Sequence, residues 1–314
     1  MSEKSLKILA GTVAVLLVLY VVTALGSGSP DAAAADGGAL AAALEQAGTG
    51  EPASIRIVSA DDTVELRREA DGWTVDGYAA DTARVSDLLA ALRDARIGHL
   101  ASSNVENHAR LGVTDSAARV LEVATDDGAP VRLLVGDAGP SYDGAYLRLP
   151  GRDEAYLVYG DIRRHVTRGV DGWRDRTIVA IDTAAVRTIE LTRDAASYTL
   201  ARGDDGWTLD DGAATDAAAV EDLLRELARL EASGFAGDSA AAATDGERFG
   251  TLVALGAAGD TLVALSLTDT EGADLIATVA GRATRFELPR WRADRVVPTI
   301  ETLRSDEPPN DGES

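Results

Sequence analysis

The chain has no cysteine, which excludes disulfides, thiolate chemistry, Cys-ligated zinc and a lipid anchor on an N-terminal Cys. Lysine is nearly absent: Lys4 and Lys7 are the only two, and every later basic side chain is Arg. Aromatics are only 4% of residues against 46% hydrophobic ones, so a core must be built mostly of Leu, Val and Ala with isolated large anchors. Three histidines occur, His99, His108 and His165, without His-x3-His or His-Glu-x-x-His spacing, which argues against a metal centre. Gly-x-Ser-x-Gly, phosphate-loop and dinucleotide fingerprints are missing too, so no cofactor is expected. The net charge of −22 repels phosphate backbones and excludes nucleic acid as a partner.

Acid is what the chain has in quantity. The pairs Asp61-Asp62, Asp126-Asp127, Asp204-Asp205 and Asp210-Asp211 fall where hairpin turns are expected. None follows the Asp-x-Asp-x-Asp-Gly pattern of a calcium loop, so they read as solvated turns. An Asp-rich, Lys-poor surface suits high salt, and GC-rich coding produces the same bias.

Apolar residues concentrate in one run, Leu6 to Leu25, with no charge after Lys7. About 18–20 residues at roughly 1.5 Å rise span the ~30 Å hydrocarbon layer. Lys4 and Lys7 precede the run, so the positive-inside rule places the N-terminus in the cytoplasm and the bulk of the chain outside the inner membrane. A cleaved signal peptide, with Ala24-Leu25-Gly26 near the cut, is the rival. The run exceeds the roughly 7–15 apolar residues usual for that class, which favours a retained anchor. Residues 26–52, rich in Gly, Ala, Ser and Asp, read as a linker in which 39–46 could form a short helix, and 305–314 read as a disordered tail.

The rest divides into two similar modules, 53–182 and 183–304. Asp71-Gly72-Trp73-Thr74-Val75 corresponds to Asp205-Gly206-Trp207-Thr208-Leu209. Short alternating runs at 55–58 and 63–68, and again at 188–191 and 197–200, precede these as strands. Asp81 and Asp216 are N-caps of helices sharing Val-x-Asp-Leu-Leu-x-x-Leu at 85–92 and 220–227. Strands are expected at 119–125, 130–135, 144–149 and 155–159, then at 251–256, 261–268, 273–280 and 283–288. Trp173-Arg174-Asp175-Arg176 and Trp291-Arg292-Ala293-Asp294-Arg295 pair as closing elements. The fold class is α+β: a transmembrane helix, then two tandem duplicated modules, each a mainly antiparallel sheet with a packed helix.

Trp73, Trp173, Trp207 and Trp291 are expected to be structural anchors of hairpins and helix ends rather than sugar-stacking platforms. The arginines beside Trp173 and Trp291 read as ion pairs closing each module. The loop at 136–144 is found in the first module alone. Its Ser141, Tyr142 and Asp143, with nearby Arg148, form the candidate contact surface, since they offer an aromatic, a hydroxyl and charge on one loop.

These residues in this order resemble the bacterial domain of unknown function 4340 family. The resemblance rests on Asp71-Gly72-Trp73, on Ala80-Asp81-Thr82 with Val85, Leu88, Leu89 and Leu92, and on Leu111-Gly112-Val113. It continues through Leu121 to Gly128, Leu133-Leu134-Val135-Gly136, Ala145-Tyr146-Leu147-Arg148 and Trp173-Arg174-Asp175-Arg176. The second module departs by lacking the 136–144 loop and a clear Leu-Gly-Val. The resemblance implies a membrane-anchored envelope protein, often encoded beside ABC-transporter components of the gliding-motility type, and it carries over no catalytic residues. The expected function is therefore non-enzymatic: an accessory or scaffold of an envelope complex, with ABC-transporter subunits as partners. The alternatives are an envelope hydrolase using a carboxylate pair and a solute-binding module.

Overall fold

The computed structural model describes residues 30–125, 129–204, 206–237, 246–270 and 274–305. The expected transmembrane segment and most of the expected tail lie outside these. Among the described residues no helix is long and apolar enough to cross a membrane. The chain forms two compact units, divided after Arg174 rather than at 182.

Among the described residues unit 1 begins with a helix that contains the short one expected at 39–46 and takes up most of the expected linker. Helix α1 runs Pro30–Thr49, and Leu40, Leu44 and Ala47 on one face are buried in the core. Strands β1 (Ser54–Val58), β2 (Thr63–Glu69), β3 (Gly72–Val75) and β4 (Tyr78–Ala79) form a meander. Its Asp71-Gly72 turn needs the positive φ of 135° that Gly72 supplies. Helix α2 (Thr82–Arg93) follows, its first turn capped by the Asp81 carboxylate accepting from Ala83 and Arg84. Strands β5 (Arg96–Ser102), β6 (Arg119–Ala124), β7 (Val131–Ala138), β8 (Gly144–Arg148) and β9 (Ala155–Tyr159) complete a nine-stranded sheet. The short helix α3 (Ile162–Val166) crosses back over it.

Every strand pair is antiparallel, and the order is β4-β3-β2-β1-β6-β7-β8-β9-β5. Alternation decides the faces. Ile55, Ile57, Val64, Leu66, Leu121, Val123, Leu133 and Val135 meet Val85, Leu88 and Leu92 of α2 in one core, while Arg56 and Arg132 stay exposed on the other side.

Unit 2 contains β10 (Thr177–Val179), β11 (Thr188–Arg193), β12 (Ala196–Gly203) and β13 (Gly206–Leu209). Helix α4 (Ala217–Ala228) follows, with its N-cap side chain Asp216 accepting from Ala219. Then come β14 (Leu230–Glu231), β15 (Gly234–Phe235), β16 (Glu247–Leu255), β17 (Thr261–Asp269), β18 (Asp274–Val279) and β19 (Arg285–Pro289), and helices α5 (Arg290–Val296) and α6 (Ile300–Leu303). The eight-stranded sheet runs β13-β12-β11-β16-β17-β18-β19-β15, while β10 and β14 pair separately.

From β3 and from β13 the two sheets therefore have the same strand order. Trp73 stands opposite Arg68, and Trp207 opposite Arg202, at the same place in the two hairpins. The edge strands β5 and β15, each on the final strand of its sheet, were not foreseen. In β5 exposed and half-buried positions carry no alternation, so a period-two search passes over it.

Candidate functional site

The histidines do not converge. His99 is exposed on β5, His108 is buried with Nε2 2.8 Å from the Asp153 carbonyl, and His165 is buried in α3. Among the described residues no group of three or more His, Asp or Glu is placed to hold a metal ion.

The tryptophans divide by environment. Trp173 is fully buried, with the Arg168 guanidinium 5.4 Å from its ring centroid and the His165 ring 6.5 Å away. Trp73 and Trp207 are half-buried and pack on the edges of their cores. Trp291 departs from the expected anchor: it is 58% exposed and lies outside the core of unit 2. Its ring faces the guanidiniums of Arg292 and Arg295. Of these, Arg292 is the structural one, donating to Glu226 at 2.8 Å and to the Glu231 carbonyl at 2.8 Å.

The 136–144 loop joins β7 to β8, and the pairing slips between Val135 and Ala138 as a bulge. Backbone bonds from Gly139 to the Gly144 carbonyl (2.9 Å) and from Gly144 to the Ser141 carbonyl (3.1 Å) close it. The Ser141 hydroxyl donates to the Asp143 carboxylate at 2.9 Å. Tyr142 projects outward, 90% exposed.

The return of the chain through β8 and β9 brings a second segment against this loop. The Asp143 carbonyl accepts from Gly160 and from Asp161, both at 3.1 Å. Asp161 is held at a left-handed φ of 63°, and its carboxylate pairs with Arg164 at 2.8 Å. The half-buried Arg163 donates from Nε to the Gly136 carbonyl at 3.3 Å. Between loop and helix lies a hollow of about 240 Å³, lined by Tyr142, Asp143, Asp161, Arg163, Arg164 and Thr167 among others.

Arg148 does not belong to this group. It sits at the far end of β8 from the loop, 6% exposed. It donates to the Val113 carbonyl at 2.9 Å and the Arg152 carbonyl at 2.8 Å, and it pairs with Asp115. Its fork braces the segment before β6 instead of facing solvent. Asp161, Arg163, Arg164 and Thr167 take its place, and sequence reading missed them. Their one local signal was the Arg163-Arg164 pair straight after the final strand of the module.

In unit 2 the corresponding strands are β17 and β18. Its larger groove, about 660 Å³, runs beside Arg193 and Phe249. Arg193 is already engaged there: it stacks 4.1 Å from the Phe249 centroid and bonds Asp294 at 2.8 Å and the Val297 carbonyl at 2.7 Å.

No curated protein and no solved structure matches the chain. A family model, the domain of unknown function (DUF4340), matches residues 73–248, more than half of the 314 residues. The chain belongs to that family.

Proposed function

We propose that this protein is a single-pass, membrane-anchored accessory or scaffold of a cell-envelope complex. Its N-terminus lies in the cytoplasm, both units lie outside, and an ABC-type transporter is the class of partner. The observation that carries this reading is the docking of α1. The apolar run ends at Leu25, α1 begins at Pro30, and Leu40, Leu44 and Ala47 fix the helix to unit 1. The ten helical residues ahead of Leu40 make a rigid link of about 15 Å between the end of the apolar run and the docked face, which suits a module held at a set distance from a membrane-embedded partner. We further infer that the two units arose by duplication, which the shared strand order and the matching Trp73 and Trp207 hairpins support.

The absence of cysteine makes the topology directly testable. A single Cys at the exposed Asp62 should react with a membrane-impermeant maleimide in intact spheroplasts, and one at Ser2 should react only after permeabilisation. The reverse pattern, or no membrane association, defeats the reading. Crosslinked membranes should yield transporter subunits with the full chain; a clean monomer argues for another role.

The hollow beside Tyr142 favours ligand binding over hydrolysis as a second reading. A glycosidase acid must be held protonated in an apolar setting. Asp161 is ion-paired with Arg164 and Asp143 accepts from Ser141, so neither carboxyl sits in such a setting.

A further inference from the structure

We propose that the hollow between the Tyr142 loop and α3 binds one ring of an acidic sugar of the uronate type. The assignment is independent of the membrane tether.

Size sets the first limit. About 240 Å³ is below the roughly 300–1,000 Å³ of pockets that enclose drug-sized ligands, so the space suits a single ring with its neighbours left outside.

The lining sets the class. Tyr142 places an aromatic face in solvent at 90% exposure, where it adds nothing to the core and offers a flat apolar surface to the C–H face of a sugar. Asp143 and Asp161 are acceptor-only groups with lone pairs beyond those used by Ser141 and Arg164. Adjacent sugar hydroxyls are the matching donors, and the Thr167 hydroxyl can give or accept.

Arg163 selects the acid. In a chain of net charge −22, no carboxylate of the described residues lies within ion-pair distance of it, and Nε alone is used, at 3.3 Å. The remaining N–H groups of a guanidinium fork fit a carboxylate in bidentate fashion. A neutral sugar would leave that capacity unused.

The backbone is preorganised around this position. The Asp143 carbonyl takes two N–H groups, and Asp161 is held at a left-handed φ of 63°.

Isothermal titration of the full chain in detergent micelles tests the proposal, with trigalacturonate, galacturonate, maltotriose and acetate as probes. The trimer and the monomer should both bind, with maltotriose and acetate each weaker by about tenfold or more. Tyr142→Ala and Arg163→Gln should each weaken the uronates by about tenfold or more, with Arg163→Lys intermediate. Uronates that give no saturable heat overturn the proposal. So does acetate binding as well as galacturonate, which would mean a simple anion site, or variants that bind like the wild type. Melting curves accompany each variant; should Arg163→Gln melt early, the exposed Tyr142→Ala decides alone.

Discussion

The backbone N–H of Asp81 donates to the carbonyl of Trp173 at 2.8 Å. This bond ties the N-cap of α2 to the residue that closes unit 1, and the bridge between Ala80 and Arg174 lies beside it. In unit 2 the N–H of Asp216 donates to the carbonyl of Leu303 at 2.9 Å, with a bridge between Thr215 and Arg304. By this criterion the partner of Trp173 is Leu303, and both are fully buried. Trp291 lies earlier, on α5, and matches Trp173 only in its neighbouring arginines.

Truncation of the buried members should therefore hurt and truncation of Trp291 should not. Trp173→Ala is expected to cost unit 1 about 3–5 kcal/mol and Leu303→Ala to cost unit 2 about 2–5 kcal/mol. Trp291→Ala should stay within about 0.5 kcal/mol. Urea titrations followed by amide circular dichroism measure all three. A large loss at Trp291 with little at Leu303 would reverse the equivalence.

Two glycines in α1 test whether that helix is docked. A Cβ on Gly48 would meet the Arg93 backbone nitrogen at 2.3 Å, whereas one on Gly38 meets nothing within 4 Å. Gly→Ala inside a helix ordinarily stabilises by about 1 kcal/mol. Gly38→Ala should show that gain. Gly48→Ala should lose about 1–3 kcal/mol through overpacking and speed hydrogen exchange across 37–49. Equal gains at both sites would mean that α1 does not press on α2.

These contacts also explain how far the sequence could be read. The meander strands, both capped helices and the Asp-Gly-Trp hairpins were legible because alternation, 3.6-residue spacing and turn chemistry are local. The helix at 30–49 was legible only as the short piece at 39–46, because Ala and Gly mask a narrow face of Leu40, Leu44 and Ala47, whose spacing of four and three was its one mark. The Trp-Arg match misled for a different reason. It compared side chains, whereas the equivalence is carried by backbone bonds between segments remote in the chain. The site was half visible: Tyr142 and Asp143 stood out on a loop, but Asp161 and Arg163 join them only after β8 and β9 have paired.

His165 makes unit 1 sensitive to acid. Burial, then the charges of Arg168 and Arg164, lower it from 6.5 to about 4, against the smaller opposing pull of Asp87 and Asp161. Its Nδ1 lies 3.0 Å from the Arg168 guanidinium, which can only donate, so the neutral ring carries its proton on Nε2. The folded value is depressed, so between about 6.5 and about 4 the unfolded chain binds more protons. Stability from this group is complete above the unfolded value and is lost as pH falls through that window, by roughly 2–3 kcal/mol. The difference in urea midpoint between wild type and His165→Gln should change with pH in that window and level off outside it. A constant difference would show that His165 does not titrate on unfolding.

Arg148 and Tyr142 were grouped by their closeness in sequence, and their opposite environments predict opposite phenotypes. Arg148→Met removes three interactions and leaves the Val113 and Arg152 carbonyls without that donor. Asp115 is 81% exposed at its side chain, so water reclaims it and the full cost of a stranded buried charge does not arise. The expected loss is about 1–3 kcal/mol, set by the buried Val113 carbonyl. Tyr142→Ala uncovers no core and should change stability by less than about 0.5 kcal/mol. Arg148→Met should leave uronate affinity within about twofold, because the hollow gains nothing from the far end of β8. Paired urea titration and calorimetry separate the two residues. If Arg148→Met abolished binding in a chain that still melted as the wild type does, the far end of β8 would belong to the site after all.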